Sequence, residues 1–183
     1  MSENANEAQA LQDLMKRVEV LEANAPEDRL ALGVMSGDLD YTIAAFIIAL
    51  GATAYDMEVD MFFTFWATSA LRDPKKSVKK NFMGNMFGTM LPNGTGKLPL
   101  SKMHMMGMGS AMIKQVMKSH GAKSLEELMK DAADLGVRIH ICTMSMDLMG
   151  IKKEELIDYP HMSYVGVGSF VDIFGKAKQC WFM

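Results

Sequence analysis

Arg29-Leu30-Ala31-Leu32-Gly33-Val34-Met35-Ser36-Gly37-Asp38 decides the fold, because it passes from an apolar strand into a turn and a helix cap without a break. The run through Met35 has the continuous apolar character of a buried strand. Ser36-Gly37-Asp38 then supplies the turn and the N-cap for a helix from about Leu39 to Ala54. Together these form a βα unit. The stretch Glu58-Val59-Asp60-Met61-Phe62-Phe63-Thr64-Phe65-Trp66-Ala67 is rich in aromatic and β-branched residues and is predicted as the second strand.

The same alternation continues toward the C-terminus. One helix is predicted from about Ser110 to His120, and a second opens at the capping box Ser124-Leu125-Glu126-Glu127 and closes at Gly136. Val137-Arg138-Ile139-His140-Ile141-Cys142 follows as a strand, then helical turns near Ser145 to Leu148 and Lys152 to Ile157, a strand at Ser163 to Val167, a helix from Phe170 to Lys178 and a short last strand at Cys180 to Met183. Strands alternating with helices imply a three-layer α/β fold: a mainly parallel sheet of about five strands with right-handed crossovers. Ahead of it, Leu11, Leu14, Met15, Val18, Leu21 and Ala25 recur every three or four residues and stop at Pro26, which describes an amphipathic helix from Glu7 to Ala25. The chain thus divides into a helical extension, 1–26, and an α/β domain, 27–183. So short a stripe either packs on the domain or pairs with a neighbouring subunit, and homo-oligomers are the expectation.

Composition narrows the function. A formal charge of −3 argues against a general nucleic-acid binder. Two cysteines without a CxxC spacing make no disulfide framework and suit a reducing cytoplasm. The start, Met1-Ser2-Glu3-Asn4-Ala5-Asn6-Glu7, lacks the basic and apolar regions of an export signal. The apolar stretch from Thr42 to Tyr55 is about fourteen residues against the roughly 20 that span a bilayer, so no integral membrane segment is expected.

In such a fold the crevice gathers residues from the carboxyl ends of different strands. Cys142, where a strand meets a helix, is the candidate catalytic residue, since free N–H groups at a helix start favour a thiolate. Ser36, Gly37, Trp66, Thr143, Ser145 and Gly168 lie at strand ends or just beyond them and are the candidate substrate-binding residues. His140, two residues back, is about 6–7 Å away on the same face, too far for a direct hydrogen bond, and reads as a packing or supporting residue. Asp147 suits a helix cap or a proton acceptor. Cys180 reads as a structural residue of an apolar strand. The 20 methionines, dense around Met103-His104-Met105-Met106-Gly107-Met108, offer soft donors for Cu(I) or simply plastic packing, so the rival to a thiol chemistry is a Met-lined small-molecule or metal-binding module. No cofactor is implied. Arg72, Lys75, Lys76, Lys79, Lys80, Lys97 and Lys102 make the stretch from Thr68 to Ser101 basic, which suits either a solvated face or attraction of an anion, and this long loop is expected beside Cys142 as the adjustable wall of its site. Asn93-Gly94-Thr95-Gly96-Lys97-Leu98 lacks the spacing and the Ser/Thr of a phosphate loop.

With those residues in view, the segment Gly136 to Ile151, the aromatic strand Phe62-Phe63-Thr64-Phe65-Trp66 and the ending Gly166-Val167-Gly168 resemble the DsrE/DsrF/DsrH-like sulfur-relay proteins, in particular longer members often labelled peroxiredoxin-family or DsrE-like proteins. The similarity covers about Arg29 to Met183. A cysteine after a β-strand, followed eight residues later by Gly-Ile or Gly-Val, lands on Cys142 and Gly150. The resemblance implies a flavodoxin-like fold, homo-oligomers, and a cysteine that carries sulfur as a persulfide or thiosulfonate between rhodanese-type and TusA-type proteins. The peroxiredoxin label has less support, because no Pro-x-x-x-Thr-x-x-Cys motif precedes either cysteine.

Overall fold

The computed structural model describes residues 2–76, 78, 80, 86 and 88–183. Five parallel strands, β1 (Glu27–Val34), β2 (Glu58–Phe63), β3 (Arg138–Cys142), β4 (Met162–Val165) and β5 (Ala177–Phe182), form one sheet in the order β4-β3-β2-β1-β5. The helices include α1 (Ser2–Ala23), α2 (Leu39–Thr53), α3 (Met108–Ser119), α4 (Leu125–Asp134), α5 (Thr143–Met149) and α6 (Val167–Lys176).

Side-chain alternation sorts the sheet into two unequal faces. Leu30, Leu32, Val34, Val59, Met61, Phe63, Ile139 and Ile141 point to one face and form the main core with Phe46 and Ala49 of α2 and Leu128 and Ala132 of α4. The intervening residues, among them Gly33, Asp60, Phe62, His140 and Cys142, face the other way. Strands β1 to β4 follow one another across the sheet, and the chain then returns from edge to edge through α6 to place β5 beside β1. That return lays α6 over the second face, where Phe170 is its buried anchor. Gly33 is required there: a Cβ would come within 2.4 Å of the Phe182 ring.

Several boundaries moved. Strand β2 ends at Phe63, not Ala67, and Phe65–Leu71 winds into a 3-10 turn whose residues Ala67 to Leu71 are buried. Phe65 and Trp66 are exposed at the start of that turn, so aromatic composition there does not report a paired strand. Helix α6 begins at Val167 and β5 at Ala177, each three residues before the expected start. The capping box at Ser124 is formed, with the Ser124 hydroxyl accepting from the Glu127 amide and the Glu127 carboxylate accepting from the Ser124 amide. Every residue from Glu7 to Asp28 is exposed, so the apolar stripe of α1 is not packed on the rest of the chain. The sequence near Val78 to Met86 has the pattern of a short helix, but that stretch lies mostly outside the described residues, as does Lys79.

Candidate functional site

Cys142 ends β3 and is the N-cap residue of α5, so its backbone stops pairing in the sheet at the point where the helix begins. Its side chain is 2 % exposed and sits with Phe62 and Phe170, flanked by Val165 and Phe174, in a small apolar cluster separate from the main core. The Phe62 and Phe170 rings stack with centroids 4.2 Å apart. Thr143 fastens the junction to the neighbouring strand, its hydroxyl donating to the Val165 carbonyl at 3.3 Å.

The polar side of this niche governs the thiol. Burial pushes the Cys142 pKa up, but hydrogen bonds from the Ser145 hydroxyl and amide, the Thr64 hydroxyl and the Met144 amide favour the thiolate and together bring it below the ordinary cysteine value. Ser145 is fully buried, and its Oγ lies 2.8 Å from Thr64 Oγ1. Thr64 escaped the sequence reading. It follows Phe63, which pairs with Ile141, so it comes level with Cys142 across the sheet. Extending β2 to Ala67 shifted the strand end and put Trp66 where Thr64 belongs.

The expected substrate-binding residues separate into three places. Thr143 and Ser145 stand with Cys142. Ser36, Gly37 and Trp66 meet in another crevice of about 240 Å³, shared with Asp38, Ser69, Leu91, Pro92 and Pro99. There Gly37 packs so closely that a Cβ would lie 2.5 Å from the Trp66 carbonyl, and the Ser36 hydroxyl is spent on Asp38 at 2.8 Å. Gly168 is exposed on the first turn of α6.

His140 is bound on both sides, 2.6 Å from Asp60 Oδ1 and 2.6 Å from Ser163 Oγ. Asp60 is 1 % exposed and also accepts from Arg29 at 2.7 Å and from Arg138 at 2.7 and 2.8 Å. Burial raises the Asp60 pKa, but these donors, Arg138 and His140 foremost, hold its carboxyl far below the usual carboxylate range. His140 thus belongs to an ion-pair network on the second face. Asp147 is exposed in the last turn of α5 and does not cap its start, which belongs to Cys142.

Packing also sets the surroundings of the remaining candidates. Cys180 is exposed on the edge strand β5, its thiol donating to the Phe174 carbonyl at 3.1 Å, and burial pushes its pKa up. The basic loop divides: Lys75, Lys97 and Lys102 are exposed, whereas Arg72, Lys76 and Lys80 are tied into the fold. Arg72 is buried, donating to the Gly88, Leu91 and Pro92 carbonyls and to Glu155. Lys80, 5 % exposed, pairs with Glu155 at 2.7 Å, and Lys76 donates to Asp158 and the Leu156 carbonyl. These pairs tie the loop to the segment after α5, and Lys80 lines a pocket of about 280 Å³ with Met146, Asp147 and Gly150. Met103, Met105, Met106 and Met108 are exposed. Among the described residues no group of three or more His, Cys, Asp or Glu gathers around a common point, and no helix is long and apolar enough to cross a membrane.

Comparison with known proteins places this geometry. The chain is 34% identical over 161 residues to the sulfur carrier protein DsrE2 of Allochromatium vinosum, covering 86% of this chain and 99% of that one. It is 46% identical over 144 residues to YrkE of Bacillus subtilis, covering 78% and 89%. The crystal structure of the YchN protein from E. coli aligns with a TM-score of 0.48 at 10% identity, over 85% of this chain and 99% of that one. The DsrE/DsrF/DrsH-like family matches residues 26–182, from the start of β1 to the end of β5, and the chain belongs to that family.

Proposed function

We propose that this protein is a cytoplasmic sulfur carrier that holds sulfur on Cys142 as a persulfide or thiosulfonate and passes it to partner proteins of the rhodanese and TusA types. One observation carries the reading: Cys142 stands at a strand end with the hydroxyls of Ser145 and Thr64 and two backbone amides favouring its thiolate. Membership in a family that includes a protein named a sulfur carrier supports the same role.

Loading from a persulfide donor R–S–SH needs no oxidant. The Cys142 thiolate attacks the outer sulfur, a new S–S bond forms as the donor's S–S bond breaks, and the donor leaves as the thiolate R–S⁻. The charge moves to the leaving sulfur, so no base has to remove a proton at Cys142. That suits a site whose histidine is engaged with Asp60 and Ser163. Phe62 and Phe170 would shield the outer sulfur from water, and Ser145 and Thr64 would hold the inner one.

Intact mass after exposure to glutathione persulfide, in the parent protein and in Cys142→Ser and Cys180→Ser, tests the assignment. The expected result is gain of one sulfur atom that disappears in Cys142→Ser and survives in Cys180→Ser. Gain confined to Cys180, or none at all, overturns it.

A further inference from the structure

The stripe of α1 has the spacing of a coiled-coil seam, and its helix has no partner within the chain. Leu11, Leu14, Val18 and Leu21 are separated by three, four and three residues, which places Leu11 and Val18 at heptad a positions and Leu14 and Leu21 at d positions. All four are exposed, at 60%, 54%, 47% and 69%. The helix also lies outside the segment that matches the family, which starts at residue 26. The α/β domain therefore completes its sheet and core without it.

We propose that α1 pairs with α1 of a second copy of this chain as a parallel, in-register two-stranded coiled coil. The residue types choose the occupant. Leucine at the d positions 14 and 21 with a β-branched residue at an a position favours two parallel strands. Heptad positions g and e flank the seam: Arg17 is at g and Glu22 at the following e, five residues on. In a parallel pair each Arg17 faces Glu22 of the second copy, giving two symmetric opposite-charge contacts. An antiparallel pair sets g beside g and brings the two Arg17 side chains together, which is repulsive. Ala10 at g and Met15 at e add an apolar margin to the first heptad.

The fold gives this pairing a consequence. Helix α1 joins the domain just before β1, at the amino end of a parallel sheet, whereas Cys142 lies at the carboxyl end of β3. A coiled coil through α1 therefore gathers two domains by the end remote from the thiol. The coiled coil covers neither Cys142 niche, and one particle carries two of them.

Cross-linking of the full chain tests orientation and partner together. Leu11→Cys is introduced with Cys142→Ser and Cys180→Ser, so that the new thiol alone can react. Diamide then oxidises two such thiols to one disulfide, taking up the two protons and two electrons released. In the parallel register the Leu11 positions are adjacent, and a disulfide-linked dimer forms rapidly. In an antiparallel pair centred on Val18 they stand about 21 Å apart, fourteen residues at 1.5 Å each. Adding R17E, or E22R, slows cross-linking roughly tenfold by setting like charges against each other. Combining them, R17E with E22R, restores the contact with its signs exchanged and brings the rate back. Absence of the cross-link, a rate indifferent to R17E, failure of the double exchange to restore it, or a strictly monomeric parent chain in sedimentation overturns the proposal.

Discussion

Replacing Ser145 by Ala removes one hydroxyl from the Cys142 niche and leaves the backbone amides of Met144 and Ser145 in place. A hydrogen bond to a charged group contributes about 1.5–3 kcal/mol. The lower figure applies here, because the Thr64 hydroxyl and the Met144 and Ser145 amides continue to favour the thiolate. A loss of about 1.4 kcal/mol lowers the thiolate population tenfold below the midpoint of the titration. A more basic thiolate is a better nucleophile, and a Brønsted slope of about 0.4–0.5 returns roughly threefold of that loss. The pH–rate profile of alkylation by iodoacetamide, measured in a Cys180→Ser background, is therefore expected to move its midpoint upward. The rate should fall about three- to fourfold on the acid side and rise about threefold on the alkaline plateau. An unmoved midpoint would show that the Ser145 hydroxyl does not act on the sulfur and would refute the description of the niche.

Four further outcomes follow from the packing. Phe170→Leu, in which a ring leaves the stack over Cys142, should speed reaction of Cys142 with a bulky maleimide far more than with iodoacetamide, at about 1–1.5 kcal/mol of stability; equal acceleration of both reagents would count against Phe170 as the cover. Asp60→Asn should destabilise the fold by about 1.5–3 kcal/mol, because Arg29 and Arg138 lose charged hydrogen bonds to a buried acceptor while each keeps Glu58. Since the folded-state pKa of Asp60 is depressed, its stabilisation is complete above the ordinary carboxylate range and is withdrawn as pH falls below it, so urea midpoints of Asp60→Asn should depend less on pH between about 5 and 3. Gly33→Val should lower stability by about 1–3 kcal/mol as the Phe182 ring is displaced, read from the same urea midpoints. Tyr159→Phe, which frees the buried Val137 carbonyl from its 2.8 Å hydrogen bond, should cost about 1–3 kcal/mol by the same assay.

The sequence by itself determined the architecture and the place of Cys142 within it. Periodicity is local: the apolar run before Ser36-Gly37-Asp38, the capping box at Ser124 and the β-branched run before Cys142 each specify an element from neighbouring residues alone. Cys142 was legible for the same reason, since a strand end followed by a helix start is a feature of consecutive residues. What surrounds the thiol was decided by tertiary structure. Thr64 joins Ser145 across 81 residues of chain because β2 and β3 are neighbours in register, which no local pattern encodes. Ser36, Gly37 and Trp66 shared the logic of strand ends and still form a separate crevice, because β2 stops at Phe63 and the buried 3-10 turn carries Trp66 toward β1. The lysines of the loop read as solvated because charge implies water, and Lys75, Lys97 and Lys102 are exposed. Lys80 is instead buried against Glu155, an attraction between residues 75 positions apart that only the folded chain brings within 2.7 Å.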